Sequence, residues 1–179
     1  MNGKHNSCRA ENVKYPINEV FQSLQGEGFF TGHPAILVRL QGCPIGCPWC
    51  DTQHTWTVKK ADVISVEQLQ DKTSDAPTYT LMDSHELMQL FIKRGFQAKH
   101  IVITGGEPCL YDLLNLCQDL HAVGYQTQIE TSGCMPICCP EQTWVTVSPK
   151  INMPGGYQVK PESLLRADEI KFPIARERD

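Results

Sequence analysis

The chain has 179 residues, enough for one domain with a proper core, and a formal net charge of −4. That balance gives no polybasic face for nucleic acid. No run approaches the length of a membrane span, and the start MNGKHNSCRAEN lacks the apolar centre of a signal peptide. Nine cysteines form an odd set without an export signal, so a reducing cytoplasm is expected rather than a disulfide framework.

Residues 1–15 read as a flexible leader in which His5 and Cys8 are incidental, with the domain proper over 16–179. Ile17–Phe21 is a short strand candidate. It runs into Leu24-Gln25-Gly26-Glu27-Gly28, whose glycines suit either a plain turn or a loop that approaches a ligand. Ala35–Leu40 is a nearly unbroken apolar run, as expected of a strand buried on both faces of a parallel sheet. Arg39 interrupts it, and a charge there needs a carboxylate partner or an anion held in a cavity.

Directly after that strand comes Cys43-Pro44-Ile45-Gly46-Cys47-Pro48-Trp49-Cys50, three cysteines spaced C-x3-C-x2-C. Thiolates crowded on one loop are the usual ligands of iron–sulfur clusters. A four-iron cube held by three cysteines keeps one iron open to a small molecule. Structural zinc is the alternative, but it favours two short pairs set well apart, and Cys134 and the adjacent Cys138-Cys139 do not supply an obvious second pair. Plain buried thiols are a further alternative. Asp51 and Thr52 offer oxygens to a hard cation such as magnesium, or simply cap a turn.

Lys59 to Pro77 is polar, a loop or a short helix. Beyond it Ser84 is the expected N-cap of a helix burying Leu87, Leu90 and Phe91, with Gly95 as the stop. His100–Thr104 is the next strand and ends in Gly105-Gly106-Glu107-Pro108, exposed backbone beside a carboxylate, which suits a cationic amine. A helix from about Asp112 is expected to bury Leu113, Leu116, Cys117, Leu120 and Val123 and to stop at Gly124. Strand Gln126–Thr131 leads to Ser132-Gly133 and a Cys/Pro-rich loop whose three cysteines read as idle thiols. Strand Trp144–Val147 ends in Ser148-Pro149-Lys150, and a final strand is expected within 168–172. The alternation predicts an α/β fold with a mostly parallel sheet, and the repeats are too few to close an eight-fold barrel. An open, partial βα barrel is expected, with its motifs at one mouth where ligands of such folds gather.

The cysteine loop after a first barrel strand, with GGEP after a later strand, resembles the radical S-adenosylmethionine superfamily. FQSLQGEG, VRLQGCPIGCPWCDT, HIVITGGEP, IETSG and WVTVSPKINMPGGY more narrowly resemble the 7-carboxy-7-deazaguanine synthases of queuosine-precursor biosynthesis, from about Tyr15 to the last residues. The resemblance implies that Cys43, Cys47 and Cys50 hold a 4Fe-4S cluster whose open iron chelates S-adenosylmethionine. It implies that Trp49, Gly105, Gly106, Glu107, Ser132, Ser148, Pro149 and Lys150 contact that cofactor. Leu24, Gln25, Gly26, Arg39 and Thr104 would hold 6-carboxy-5,6,7,8-tetrahydropterin, Arg39 forking onto its carboxylate, and Thr52 would touch a magnesium ion. Reductive cleavage of the cofactor would start a ring contraction that releases ammonia. A homodimer and a flavodoxin-type reductant are also implied. Synthases of this family continue beyond the point matching Phe172–Asp179, so an open-sided pocket is expected here. Two alternatives stand beside the synthase: an activase that makes a glycyl radical on another protein, and a non-catalytic cluster- or metal-binding module.

Overall fold

A computed structural model describes residues 13–174. Seven strands form one sheet in the order β3-β1-β2-β4-β5-β6-β7, with β1 at Tyr15–Leu24, β2 at Pro34–Leu40, β3 at Thr80–Met82, β4 at His100–Gly105, β5 at Gln126–Thr131, β6 at Trp144–Val147 and β7 at Glu169–Ile170. From β2 to β7 every neighbour is parallel, while β1 pairs antiparallel with both β2 and β3. The sheet does not close on itself. It is the open, mostly parallel barrel the sequence predicts.

Four α-helices accompany it: α1 at Val66–Gln70, α2 at Ser84–Lys93, α3 at Leu114–Ala122 and α4 at Pro161–Arg166. Leu87, Leu90 and Phe91 of α2 and Leu116, Cys117 and Leu120 of α3 are buried. They share one core with Ile36, Val38, Leu40, Ile101, Ile103 and Ile129 from the outer face of the sheet. Each such side chain contributes about 1.5–3 kcal/mol by leaving water. The alternate residues of the same strands, among them Leu37, Arg39, Thr104, Glu130 and Thr146, face the opposite way and line a cavity.

Several boundaries differ from the sequence reading, each for a local reason. Helix α2 is capped by Asp83 rather than Ser84: the Asp83 carboxylate accepts from the Glu86 N–H, and the Glu86 carboxylate accepts from the Asp83 N–H at 2.9 Å. Helix α3 begins at Leu114, where Asp112 Oδ1 accepts the Leu114 N–H at 2.9 Å. It ends before Val123, which is 54 % exposed rather than buried; the backbone leaves the helix there and turns left-handed at Gly124 (φ 87°). The 59–77 stretch holds α1, closed by a Ser65–Gln68 capping box. Neither β3 nor α4 is evident in the sequence, and no helix spans β5 to β6. Of the leader expected over 1–15, residues 1–12, with His5 and Cys8, lie outside the described residues, and Tyr15 already opens β1. The expected end of the chain, 175–179, also lies outside them. Among the described residues no helix is long and apolar enough to cross a membrane.

Candidate active site

A cavity of about 610 Å³ opens at the carboxyl ends of the parallel strands, within the usual size range of ligand pockets. Its rim begins where β2 runs out. Gly42, at φ 106°, turns the chain into the cysteine loop, and the Gly42 and Cys43 N–H groups donate to the Thr55 and Trp56 carbonyls at 2.6 and 3.0 Å. The fully buried Gln41 fastens this return segment, donating to the His54 and Thr57 carbonyls while accepting from Asn18. Gly155 packs so closely beneath the loop that a Cβ there would stand 2.0 Å from the Pro44 oxygen, and its N–H donates to the Ile45 carbonyl at 3.0 Å.

Cys43, Cys47 and Cys50 all line the cavity. Burial pushes the Cys43 thiol up to about 11 and raises Cys47 as well, so loading a metal centre here releases protons. Among the described residues no set of three or more His, Cys, Asp or Glu side chains closes on a point that holds one ion. Three thiols of one loop beside an open cavity fit a cluster that also takes a small-molecule ligand, whereas structural zinc favours four protein ligands. Cys134 packs with Cys47 and Ile45 behind the loop, and Cys138 and Cys139 lie elsewhere as free thiols, Cys138 exposed.

The end of β4 meets this rim backbone to backbone. The Gly106 N–H donates to the Leu40 carbonyl at 2.9 Å and the Glu107 N–H to the Gly42 carbonyl at 2.7 Å. A Cβ at Gly106 would stand 2.1 Å from the Gly42 oxygen, and one at Gly105 (φ 114°) 2.4 Å from the Leu40 nitrogen. Only glycine fits. Glu107 is 1 % exposed, and its carboxylate accepts from the Cys109 N–H, the Thr131 hydroxyl, and the Ser132 N–H and hydroxyl. It ties the GGE turn to the end of β5 and has little capacity left for an added amine.

The remaining expected residues divide clearly. Trp49, 57 % exposed, lines the cavity with Thr104, Ser132, Ser148 and Lys150; the Lys150 ammonium donates to the Ser148 hydroxyl at 2.6 Å. Pro149 is buried outside the lining. Thr52 lines it too, its hydroxyl 3.6 Å from the Cys50 sulfur, beside Asp51. Gln25 and Gly26 reach the floor, whereas Leu24 is exposed and does not line it. Arg39 pairs through Nε with Glu19, and no other hydrogen bond engages its terminal nitrogens among the described residues.

Sequence reasoning missed the floor itself. Glu130 accepts from Gln25 at 3.0 Å and from Lys171 at 3.0 Å, and Lys171 lies 3.7 Å from Glu27. Gln128 accepts from Gln25 and bonds His100 at 2.8 Å; burial pushes the His100 imidazole pKa down. The available signal was polar residues at every second position of β5, β6 and β7, where a parallel strand buried on both faces should be apolar.

A family model described as a 4Fe-4S single cluster domain matches residues 24–137. The 7-carboxy-7-deazaguanine synthase of Escherichia coli (strain K12) is 52% identical over 167 residues, covering 93% of this chain and 75% of that protein. That of Buchnera aphidicola subsp. Schizaphis graminum (strain Sg) is 47% identical over 165 residues, covering 92% and 74%. The crystal structure of QueE from Escherichia coli matches with a TM-score of 0.90 at 52% identity, covering 92% of this chain and 72% of that one. With the same fold and half its residues shared over nearly its whole length, the chain belongs to the 7-carboxy-7-deazaguanine synthase family.

Proposed function

We infer that this protein is a radical S-adenosylmethionine lyase that converts 6-carboxy-5,6,7,8-tetrahydropterin to 7-carboxy-7-deazaguanine with loss of ammonia. One observation carries the reading beyond kinship. Three thiols of one loop, the GGE turn and a floor bearing Arg39 and Gln25 all face a single cavity.

Cys43, Cys47 and Cys50 would hold the 4Fe-4S cluster, and the donor set fits it. When bound, the cluster and S-adenosylmethionine supply one-electron, hydrogen-abstracting chemistry. The protein's own residues bind and orient. With the Glu107 carboxylate committed, the main chain of Gly105 and Gly106 receives the methionyl amine, and Glu107 holds that turn in place. Trp49 lies beside the adenine; Ser148 and Lys150 offer polar contacts, Pro149 supports them from behind, and Ser132 borders the same wall. Arg39, its Nε kept by Glu19, gives its terminal nitrogens to the substrate carboxylate. Thr104, Gln25 and Gly26 position the ring, and Leu24 contributes through its main chain alone. Thr52 reaches a magnesium ion. A homodimer, a flavodoxin-type reductant and a cytoplasmic location complete the proposal. A floor built from fixed side chains supports a small substrate over a protein glycyl loop.

The test is anaerobic reconstitution followed by turnover with S-adenosylmethionine, reductant and the pterin. The reading expects about four irons per chain, 5′-deoxyadenosine and the deazaguanine product by mass spectrometry. Bound zinc with no 5′-deoxyadenosine would sink it.

A further inference from the structure

Resting on the reading that Gln25 meets the pterin, the geometry points to Glu169 as a positioning residue. Its carboxylate sets the pitch of the loop between β1 and β2, and so places Gln25 and Glu27 in the cavity.

The loop, residues 25–33, turns in beneath the barrel. The Gly26 N–H donates to the Gln25 side-chain oxygen at 2.8 Å, and the Gly32 N–H returns to the Gln25 carbonyl at 2.8 Å. These bonds shape the loop but do not fix its height against the sheet. Glu169 on edge strand β7 does: Oε1 accepts the Phe29 N–H at 2.8 Å, and Oε2 accepts the Thr146 hydroxyl at 2.9 Å. The approach demands Gly28. At φ 75° the backbone itself favours glycine, and a Cβ there would stand 2.2 Å from Glu169 Oε1, so Gly28 also leaves room for the strut.

The strut closes a circuit. Thr146 in turn accepts from Gln128 Nε2 at 2.9 Å, and Gln128 Oε1 accepts from Gln25 Nε2 at 3.4 Å. The same Gln25 Nε2 meets Glu130 Oε1 at 3.0 Å, so the loop hangs between two charged acceptors, Glu130 at Gln25 and Glu169 at Phe29, and Glu169 sets its far end. A charged acceptor makes such bonds stronger than neutral ones. The Phe29 ring stacks on Trp144 at 4.8 Å, and the Phe30 ring lies 4.3 Å from His100, adding apolar seating to the loop. Glu169 does not itself line the cavity.

The experiment compares the reconstituted holoenzyme with Glu169→Ala, Glu169→Asp and Glu169→Gln. It reads pterin KM and kcat, equilibrium pterin binding without reductant, S-adenosylmethionine binding and iron content. The expected result for Glu169→Ala is a rise in pterin KM and dissociation constant of about tenfold or more. Binding of S-adenosylmethionine and iron content should match the unchanged protein. Glu169→Gln keeps one acceptor at the same reach, for the Phe29 N–H, and restores part of the affinity; Glu169→Asp, which withdraws both oxygens, falls lower and decides the matter should the alanine variant not fold. Unchanged pterin affinity in folded Glu169→Ala or Glu169→Asp overturns the inference, as does equal loss of pterin and S-adenosylmethionine affinity without rescue by glutamine. An unaltered holoenzyme that fails to bind the pterin overturns the functional reading itself, and the inference with it.

Discussion

Two charges lining the cavity, Glu107 and Arg39, are handled in opposite ways. Glu107 is saturated by donors from its own chain, so it serves architecture. Arg39 is paired at Nε by Glu19 and lines the cavity, and among the described residues its terminal nitrogens have no other partner, which fits the proposed contact with a ligand carboxylate. Glu107→Gln puts an amide N–H against donors and should lower stability by about 1–3 kcal/mol, read as a fall in denaturation midpoint. The cysteines divide along the same line. Cys43→Ala should abolish both stoichiometric iron binding and turnover. Cys117→Ser should leave iron loading intact and cost roughly 1–2 kcal/mol, because Cys117 is fully buried within the core of α3. Iron analysis and thermal denaturation of the two variants side by side separate the roles. If Cys43→Ala kept cluster-dependent activity, the ligand assignment would be wrong.

At the scale of elements, backbone packing decides where function is rigid. Gly106→Ala drives a Cβ to 2.1 Å from the Gly42 oxygen, and both atoms belong to backbone that cannot move aside cheaply. The expected outcome is loss of S-adenosylmethionine binding, measured by equilibrium dialysis, along with reduced stability. Asp83→Ala, which removes the α2 cap, should cost about 1 kcal/mol and leave kcat unchanged, since α2 packs on the far side of the sheet. Long elements were legible in the sequence. The bounds of β5 and β6 match the expected Gln126–Thr131 and Trp144–Val147, and Gly95 and Gly124 end their helices as left-handed residues. Short elements were not legible. β3 spans three residues and gains its definition from pairing with β1, and α4 lies in a segment too short for a period to show. Val123 was misplaced because one more helical residue would have buried it, and the helix stops at Ala122.

Across the whole molecule, the barrel divides labour between its mouth and its floor. The mouth is built from loops at strand ends, where glycine, proline and cysteine leave a pattern in the sequence, so Cys43 to Cys50 and the GGE turn could be read directly. The floor is built from isolated polar residues of β5, β6 and the segment after β7. Glu130, Gln128, Thr146 and Lys171 acquire meaning only when the sheet brings them beside Gln25, which is why they escaped a linear reading. Leu24 shows the converse: it belongs to the legible LQGEG motif, yet its side chain points away from the cavity and is 60 % exposed. On the proposed function, the mouth holds the cofactor above a substrate whose carboxylate meets Arg39.

Turnover with pterin deuterated at C6 tests that arrangement most directly, following the label by mass spectrometry. The account predicts deuterium in 5′-deoxyadenosine together with the deazaguanine product. Unlabelled 5′-deoxyadenosine, formed at the same rate with or without the pterin, would contradict it.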